Sequence, residues 1–407
     1  MFRTIARASL IPGVSAIIVA FTAASALAQA QAEPTRVDAI IADQQKKSGE
    51  LTKYEGSEAE KVLTHIETTF ITGMAIHPFF DSALAGGGFT VGAGYRHFVG
   101  SYNTFDVRGS ITLSGYKRIE AEFLAPRLFN RRGVLSVIGG WREATQVGFY
   151  GTGTANTSVD DRANYSFDQP YLIATLDYRP TRRYLVLGAT ADYSQWRQGP
   201  GEGSAPSVEE VYTPETLPGL GTSPTYLHVS GRAGFDWRTS PGYTRTGGYY
   251  GVEGHEYFDP DGRLGFQQAN YTAIQHIPIL RNTWVLSLRG EVETTVLAGD
   301  QTIPFFMLPA LGGGSSLRGF SSWRFRDRNS LLLSGDFRVL ANNFLDMALF
   351  HDAGKVASDT GDLNLDHLKS DYGIGFRIHG PAATPLRIEF ARSNEGLAVV
   401  FSAKAAF

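Results

Sequence analysis

Long segments of this chain alternate apolar and polar residues with a period of two, which is the period of a β-strand. From Tyr226 the sequence reads YLHVSGRAGFDWR, where Leu227, Val229 and Phe235 fall on one face and Arg232 falls on the other. The segments WVLSLRGEVETTV, YGIGFRIHG and LRIEFARS alternate in the same way. Such faces suit strands that have one side in an apolar environment and the other in a polar one.

Sixteen strands are predicted from this pattern and from the turn residues between the segments. They span residues 67–78, 87–98, 103–115, 116–127, 132–145, 164–180, 183–197, 225–239, 243–258, 262–277, 282–298, 329–341, 344–356, 370–380, 384–394 and 396–407. Many are about ten residues long or more, whereas strands of soluble proteins are most often about five or six. Aromatic residues such as Tyr226, Trp237 and Trp284 lie near segment ends. A soluble sandwich alternates too, but these two features favour a membrane barrel.

The predicted fold is therefore all-β, a transmembrane antiparallel β-barrel of about sixteen strands. The longer polar stretches 146–163, 198–224, 299–328 and 356–369 are expected to be its outer loops. Closure is required, because only a closed barrel satisfies every strand backbone group in lipid. Beyond the N-terminus no segment has about eighteen consecutive apolar residues, which excludes helical membrane spans.

The N-terminal stretch has the layout of a bacterial secretory signal peptide. Two arginines precede a short apolar core, and a small-x-small cleavage pattern ends at Ala28. We predict a signal peptide over residues 1–28, with cleavage after Ala30 or Ala32 as alternatives. A membrane anchor is the other interpretation of this stretch, although its apolar core is short for that role.

The segment 29–66 is charged and poor in strand-forming residues. This composition predicts a short periplasmic tail with one short helix, or a segment folded into the lumen. Residues 67–407 would then form the barrel domain, and the predicted location of the protein is the bacterial outer membrane.

The composition of the chain mainly excludes classes of function. The 407 residues carry a formal net charge of -3, so nucleic acid is not expected as a partner. The chain has no cysteine, which rules out disulfides and thiolate metal sites. Its mean hydropathy of -0.14 would suit a soluble protein, but alternation hides lipid-facing residues from such an average. No phosphate loop, metal-ligand spacing or hydrolase elbow is present, so neither enzyme activity nor a cofactor is predicted.

One long loop carries the most specific motif. It reads LGGGSSLRGFSSWRFRDRN from Leu311 to Asn329, and its Leu317-Arg318-Gly319-Phe320 stretch resembles the signature of the bacterial surface antigen superfamily. The later segments LSGDFRV, ALFHDAGKV and YGIGFRIHGPAATPLRIEFA resemble the strands that follow the signature. That superfamily contains outer-membrane protein assembly factors, translocation-and-assembly factors and two-partner secretion transporters.

The resemblance implies a sixteen-stranded barrel whose sixth outer loop folds back into the lumen. The loop arginine would there meet acidic residues of the inner wall. The implied site consists of the loop residues Arg318, Gly319 and Phe320 and the wall residues Asp336, Phe350, Asp352 and Gly354. Strand parity independently places Asp336 and Asp352 on the inner face, and one guanidinium can hold two carboxylates. The alternative is that Arg318 is a solvated loop tip.

The same resemblance implies that the barrel inserts or translocates polypeptide or lipid through a lateral gate or its lumen. Classical members carry periplasmic repeats (POTRA domains) of roughly 75 residues before the barrel. The segment 29–66 is too short for one, so a member without repeats is predicted, and client capture would need a separate protein. The alternative function is a passive pore or substrate-specific channel. Its expected lining residues are Arg232, Arg238, Arg289, Glu291, Glu293, Arg377 and Glu389.

The final residue, Phe407, is predicted on the lipid face of the last strand. It resembles the C-terminal aromatic signal that assembly machinery recognises on outer-membrane barrels. The expected partners are therefore outer-membrane lipid, that machinery during biogenesis, and client polypeptides or a separate periplasmic protein. The barrel itself is expected to be a monomer. An outer-membrane lipase is disfavoured, because no catalytic triad of serine, histidine and an acidic residue can be identified in the sequence.

Overall fold

The structure is a computed structural model that describes residues 41, 43–46, 75–154, 157–181, 184–260, 262–280 and 283–407. The predicted signal peptide, 1–28, and most of the predicted segment 29–66 lie outside the described residues. Within that segment, residues 41 and 43–46 are helical. In the described part of the chain, no helix is long and apolar enough to cross a membrane.

Strands dominate the described residues. They are β1 (Ile76–Pro78), β2 (Thr90–Val99), β3 (Asn103–Thr112), β4 (Lys117–Arg127), β5 (Gly133–Phe149), β6 (Ala163–Tyr178), β7 (Leu185–Gln195), β8 (Arg197–Pro200), β9 (Thr225–Asp236), β10 (Gly247–Phe258), β11 (Phe266–Leu280), β12 (Trp284–Val296), β13 (Ala310–Leu311), β14 (Phe325–Arg326), β15 (Asn329–Asn342), β16 (Leu345–Ala357), β17 (Lys369–Ile378), β18 (Leu386–Ser393) and β19 (Gly396–Ser402). Short helical turns cover Leu128–Arg131, Val159–Asp161, Val208–Val211, Phe305–Met307 and Thr360–Asp362.

The barrel wall is one antiparallel sheet in which each strand pairs with the next along the chain. β8 continues β7, since both pair with β6, so the wall has sixteen strand positions. The strands β13 and β14 form a separate small hairpin in the connection between β12 and β15. This architecture confirms the predicted large antiparallel barrel with a long loop before the last strands.

The predicted strand segments correspond to wall strands, with boundary differences of a few residues. For the predicted strand 67–78, residues 67–74 lie outside the described residues and β1 covers Ile76–Pro78. The predicted strand 396–407 is too long, because β19 ends at Ser402. The predicted outer loops 146–163 and 356–369 are also shorter than expected, since β5 and β16 extend into them.

The two faces of the wall differ as the alternation predicts. On β9, Leu227 and Phe235 are 49% and 58% exposed, whereas His228 and Asp236 between and beside them are 6% and 7% exposed. The apolar face therefore lies on the outside, where lipid would cover it. The polar face lies inside, where its side chains pair with one another.

The two ends of the barrel also differ. Connections at one end are short, such as 100–102 and 343–344, whereas those at the other end include 201–224 and 297–328. We call these the short-turn end and the long-loop end. In outer-membrane barrels the short turns face the periplasm and the long loops face the outside of the cell. By this rule the short-turn end would be the periplasmic end of the barrel.

Residues 79–89, between β1 and β2, lie against the inner face; the sequence predicted 87–89 as the start of a strand and gave no structure for 79–86. The ring of Phe79 lies 5.0 Å from the guanidinium carbon of Arg108. Arg118 donates a hydrogen bond to the carbonyl of Ser82, at 3.2 Å. Both arginines face the lumen, because they pair with Glu120, which is 1% exposed. This segment therefore fills part of the barrel interior.

An apolar cluster closes over the barrel at the long-loop end. Phe305 is fully buried there, and its ring lies 5.3 Å from that of Phe149 and 4.9 Å from that of Tyr165. Val208 and Leu217 of the 201–224 connection join the same cluster. The extended ends of β5 and β6 are thereby packed against two outer connections, which form a cap.

Candidate functional site in the lumen

The loop between β12 and β15 turns sharply at its glycines. Gly312 and Gly313 have φ values of 118° and 92°, a region that side chains other than glycine rarely adopt. A Cβ atom on Gly312 would lie 2.2 Å from the carbonyl oxygen of Ser321. The amide of Gly313 donates hydrogen bonds to the carbonyls of Leu317 and Phe320. The glycine run therefore allows the loop to fold tightly upon itself.

Apolar residues anchor this compact loop to the wall. Leu317 and Phe320 are 0% and 3% exposed, and the Phe320 ring packs edge-on against Phe325 at 5.2 Å. Leu332 of β15 and Val356 of β16 belong to the same buried cluster. Burying one such side chain contributes about 1.5–3 kcal/mol, so the cluster can hold the loop against the inner wall. The prediction that this loop enters the lumen agrees with the packing.

Arg318 at the loop tip is 3% exposed and contacts carboxylates of two wall strands. Its Nε and Nη2 atoms donate to the two carboxylate oxygens of Asp352, at 2.6 and 2.9 Å. Its Nη1 atom donates to Oε1 of Glu389, at 3.0 Å. The two-pronged contact with Asp352 is the geometry that a planar guanidinium favours. We call this set of contacts the arginine lock.

Phe350 completes the lock from one side. Its ring centre lies 3.6 Å from the guanidinium carbon of Arg318, a cation–π contact in a desolvated place. Burial opposes the charge of Arg318, but hydrogen bonds and charge from Asp352 and the charge of Glu389 raise the pKa of Arg318 above its ordinary value. The guanidinium therefore remains charged at any physiological pH.

Asp336 lies near the lock but is not the second hydrogen-bond partner that the sequence predicted. Its carboxylate is 3.8 Å from Nη1 of Arg318, which is an ion pair without a hydrogen bond. Arg377 of β17 instead donates to Asp336 and, at 2.9 Å, to Glu389. Two guanidinium groups thus share the carboxylates. Arg387 adds a third cation, 3.6 Å from Glu389.

Sequence reasoning placed Arg377 and Glu389 on the inner face but assigned them only to a pore lining. Their strand parity was the available signal, since Arg377 alternates with Phe376 and Ile378, and Glu389 with Ile388. Parity gives the face of a residue but not its depth along the barrel. The charged cluster around Arg318 therefore draws on β15, β16, β17 and β18, rather than on β15 and β16 alone.

The two predicted glycines mark close approaches between the loop and the wall. A Cβ atom on Gly319 would lie 2.6 Å from Cβ of Asp371, and the Gly319 carbonyl accepts a hydrogen bond from the Ser393 hydroxyl at 2.7 Å. A Cβ atom on Gly354 would lie 2.6 Å from the Leu331 carbonyl oxygen. Gly319 and Gly354 thus leave the space that the packed loop and the paired strands require.

Two further arginines of the loop were not predicted as site residues. Arg324, which is 2% exposed, pairs with Glu395 at 2.8 Å and donates to the carbonyl of Thr157 at 2.9 Å. Arg326, which is 1% exposed, donates to the Tyr165 hydroxyl at 3.0 Å. The signal was the spacing of arginines in WRFRDR, with one arginine at every second position. Arg324 and Arg326 therefore tie the loop to β6 and to the outer turns at Thr157 and Glu395.

The other charged residues expected to line a pore are mostly paired. Arg232 pairs with Asp177, and Arg238 pairs with Asp236 at 3.0 Å. A cavity of about 250 Å³ lies between the long loop and β12. Its lining includes Asn270, Arg289, Glu291, Glu293, Ser316 and Trp323.

The sequence predicted Phe407 on the lipid face of the last strand, but the structure places it elsewhere. Because β19 ends at Ser402, the last residues leave the wall. The Phe407 ring centre lies 5.8 Å from the guanidinium carbon of Arg289, which lines the lumenal cavity. Lys404 pairs with Asp81 of the 79–89 segment at 3.1 Å. The lipid-facing parity holds only as far as Phe401, which is 67% exposed.

A comparison with protein-family models assigns this architecture. The Omp85 superfamily domain matches residues 97–396, which is most of the chain and includes the whole loop and lock. The chain belongs to the Omp85 superfamily. The family resemblance of the loop motif is thereby confirmed. A search of curated proteins found no match to the chain.

Solved structures show the same fold as this Omp85 barrel. BamA from Haemophilus ducreyi lacking POTRA domains 1–3 is 14% identical, with a TM-score of 0.57 over 86% of this chain and 79% of that one. CdiB from Escherichia coli is 12% identical, with a TM-score of 0.54 over 81% of this chain and 62% of that one. The chain thus spans less than two thirds of CdiB. At such identities the likeness concerns the fold alone.

Proposed function

We propose that this Omp85 barrel resides in the bacterial outer membrane and inserts or translocates polypeptide or lipid. The observation that carries the proposal is the arginine lock, which holds a loop inside the lumen of a barrel of this family. A loop fixed in this way is a rigid internal partner against which neighbouring strands can move. Family membership alone would be a weaker argument, because folds host many functions.

The ends of the wall provide the moving part of the proposal. β19, the last strand, is only seven residues long. Gly396, at the head of β19, has a φ of 135°, and glycine weakens strand pairing. A short last strand with a glycine at its head favours the lateral gate that the family resemblance implies. The locked loop lies beside this region, since a Cβ on Gly314 would be 3.7 Å from Cβ of Val400 in β19.

The passive-pore alternative has less support. The interior contains the locked loop and the 79–89 segment, and the apolar cluster around Phe305 packs over the long-loop end. Most of the charges expected to line a channel form ion pairs within the barrel instead. These features suit a barrel that is closed at rest and opens in response to a client.

The proposed partners follow from this role. Clients would be unfolded polypeptides or lipids, and the barrel would act as a monomer embedded in outer-membrane lipid. A separate periplasmic protein would deliver clients. Phe407 would serve the assembly machinery before folding and would reach its lumenal position afterwards. No enzyme activity and no cofactor are part of the proposal.

Reconstitution tests the insertase function. The purified chain is placed in phosphatidylcholine vesicles, and a urea-unfolded eight-stranded barrel is added as client. We expect folding of the client, followed by its heat-modifiable mobility, to be several-fold faster than in empty vesicles. If rates match those of empty vesicles, and planar bilayers instead show steady conductance that rises in an Arg318→Ala variant, the channel alternative replaces the proposal.

A reversible cross-link tests the gate. The chain has no cysteine, so Gly314→Cys with Val400→Cys creates a single pair, and the 3.7 Å separation lies within the range of a disulfide. We expect the oxidised double variant to lose client folding and to recover it on reduction. Each single cysteine variant serves as its control. Full activity of the oxidised form would show that β19 need not move away from the loop.

A further inference from the structure

Two neighbouring turns at the short-turn end are unusually basic. They are 127–132, which reads RLFNRR, and 178–184, which reads YRPTRRY. Together they contain six arginines and no acidic residue. Arg182 and Arg183 lie outside the described residues. We call the described part of this surface, residues 127–132 and 178–181, the basic rim.

The two turns form one surface. The amide of Arg179 donates a hydrogen bond to the carbonyl of Arg132 at 2.7 Å. The rings of Phe129 and Tyr178 meet edge to face, with centres 5.7 Å apart. Charges that lie on consecutive turns of the sequence are thereby gathered at one place on the barrel edge.

Three arginines of this surface are available to a ligand. Arg127, Arg131 and Arg132 are exposed, and within the described part of the chain none of them forms an ion pair. Arg127 stacks on the Tyr102 ring, with its guanidinium carbon 3.5 Å from the ring centre. Arg179 differs, because it pairs with Asp236 at 3.1 Å. Arg179 and Arg238 thus share a carboxylate partner at this end, whereas the 127–132 turn presents positive charge without an ion pair among the described residues.

The backbone of the 127–132 turn has an unusual conformation that keeps its arginines exposed. Phe129, Asn130 and Arg131 have φ values of 49°, 58° and 66°, which is left-handed backbone that non-glycine residues rarely adopt in succession. Such strain persists where surrounding contacts hold it, and it is common at functional sites. Here it turns Phe129 onto Tyr178 and leaves Arg131 exposed.

Aromatic residues beside the basic rim indicate its position relative to the membrane. Tyr178 has the same strand parity as Leu172, which is 54% exposed on the lipid-facing side of β6. Phe129 packs on Tyr178 and is itself 58% exposed, and Tyr102 is 49% exposed. Exposed aromatic rings at strand ends mark the level of lipid headgroups. The arginines therefore lie at headgroup level on the outer edge of the barrel.

We propose that the basic rim binds the phosphate of anionic phospholipids in the leaflet at the short-turn side. A guanidinium holds a phosphate through two parallel hydrogen bonds, and clustered basic residues beside the bilayer attract anionic headgroups. The inference rests on the proposed membrane location but not on the insertase role. An acidic protein is the competing ligand, yet it would not require aromatic rings facing lipid.

Native mass spectrometry of the full chain released from detergent measures the binding. Dioleoylphosphatidylglycerol is the probe, and dioleoylphosphatidylcholine is the zwitterionic comparison. We expect wild type to prefer phosphatidylglycerol, and the triple variant Arg127→Gln, Arg131→Gln, Arg132→Gln to bind it about tenfold or more weakly. Binding of phosphatidylcholine should stay unchanged in the variant. Equal binding of phosphatidylglycerol by wild type and variant would overturn the proposal.

A matched control removes the same charge at the other end of the barrel. It carries Arg197→Gln, Arg263→Gln and Arg328→Gln, all at the long-loop end. This control should retain wild-type lipid binding, and an equal loss in it would show an effect of net charge alone. Heat-modifiable mobility verifies that each variant is folded. A folded triple variant that keeps phosphatidylglycerol but loses salt-sensitive binding of polyglutamate would assign the rim to an acidic protein.

The two proposals fail separately. If wild type inserts into vesicles as a barrel but does not accelerate folding of the client, the proposed insertase role is wrong and the lipid site is unaffected. If it inserts but shows no preference for phosphatidylglycerol over phosphatidylcholine, only the lipid site is wrong.

Discussion

Replacing Arg318 by alanine should destabilise the barrel through one specific carboxylate. Glu389 would keep Arg377 at 2.9 Å and Arg387 at 3.6 Å. Asp352 is 0% exposed, and its ion pair within the described residues is with Arg318. The substitution therefore leaves Asp352 as a buried charge without a cation.

The magnitude follows from the kind of contact that is lost. Removing one partner of a buried ion pair costs about 3–5 kcal/mol, because the remaining charge is uncompensated. The cation–π contact with Phe350 adds about 1–2 kcal/mol in a desolvated place. Asp371 lies directly opposite Asp352 across β16 and β17 and adds like charge. We expect Arg318→Ala to lower the free energy of unfolding by about 4 kcal/mol.

Urea unfolding in phospholipid vesicles, followed by the fluorescence of the five tryptophans, measures this loss. The decisive comparison is Asp352→Asn in two backgrounds. Alone it should destabilise, since it removes the partner of Arg318, whereas in the Arg318→Ala background it should restore about 2 kcal/mol. Arg318→Lys should fall between wild type and alanine, because lysine keeps the charge but not the two-pronged geometry. The reasoning is refuted if Asp352→Asn has the same effect in both backgrounds.

Three further changes test neighbouring contacts. Asp371→Asn should raise the free energy of unfolding by about 1–2 kcal/mol, because its carboxylate is buried opposite that of Asp352 and neither oxygen has a hydrogen-bond partner among the described residues; a loss of stability in urea would contradict this. Gly319→Ala should lower it by about 1–3 kcal/mol and expose the loop to protease, since its Cβ would lie 2.6 Å from Cβ of Asp371; unchanged protease resistance would argue against so close an approach. Phe305→Ala should cost about 3–5 kcal/mol, seen as a lower Tm, whereas a Tm within error of wild type would show that the cap is not packed as described.

Much of the wall could be predicted from the sequence because lipid and lumen impose opposite demands on alternate residues. The alternation correctly predicts which residues of β9 and β15 face outward and that Asp336 and Asp352 face inward. Strand ends were less predictable. The alternation of β19 continues in the sequence beyond the strand, to Ala403 and Ala405, yet pairing with β18 ends at Ser402. Periodicity cannot report where a partner strand stops.

The choice of lock partners required information that parity does not hold. Asp336 and Glu389 both face inward, and their distances from Arg318 depend on how far each strand is shifted against the next. In the structure Asp336 lies opposite Phe350, and Glu389 lies opposite Gly375. These registers bring Glu389 within 3.0 Å of Arg318 and leave Asp336 at 3.8 Å. A shift of two residues would preserve every face and change both distances.

The 79–89 segment was not predicted for a different physical reason. Several of its hydrogen bonds to the rest of the barrel are accepted by backbone carbonyls: Asp81 accepts from the Ser110 hydroxyl at 2.7 Å, Ser82 from Arg118 at 3.2 Å, and Ala85 from the indole of Trp323 at 2.9 Å. Every residue has a carbonyl, so these acceptors leave no pattern in the residues that provide them. The donors do leave one, since each is a polar or amphipathic side chain on the inner face or the loop. A lumen lined with surplus donors therefore predicts that some segment of backbone fills it, although it cannot predict which segment.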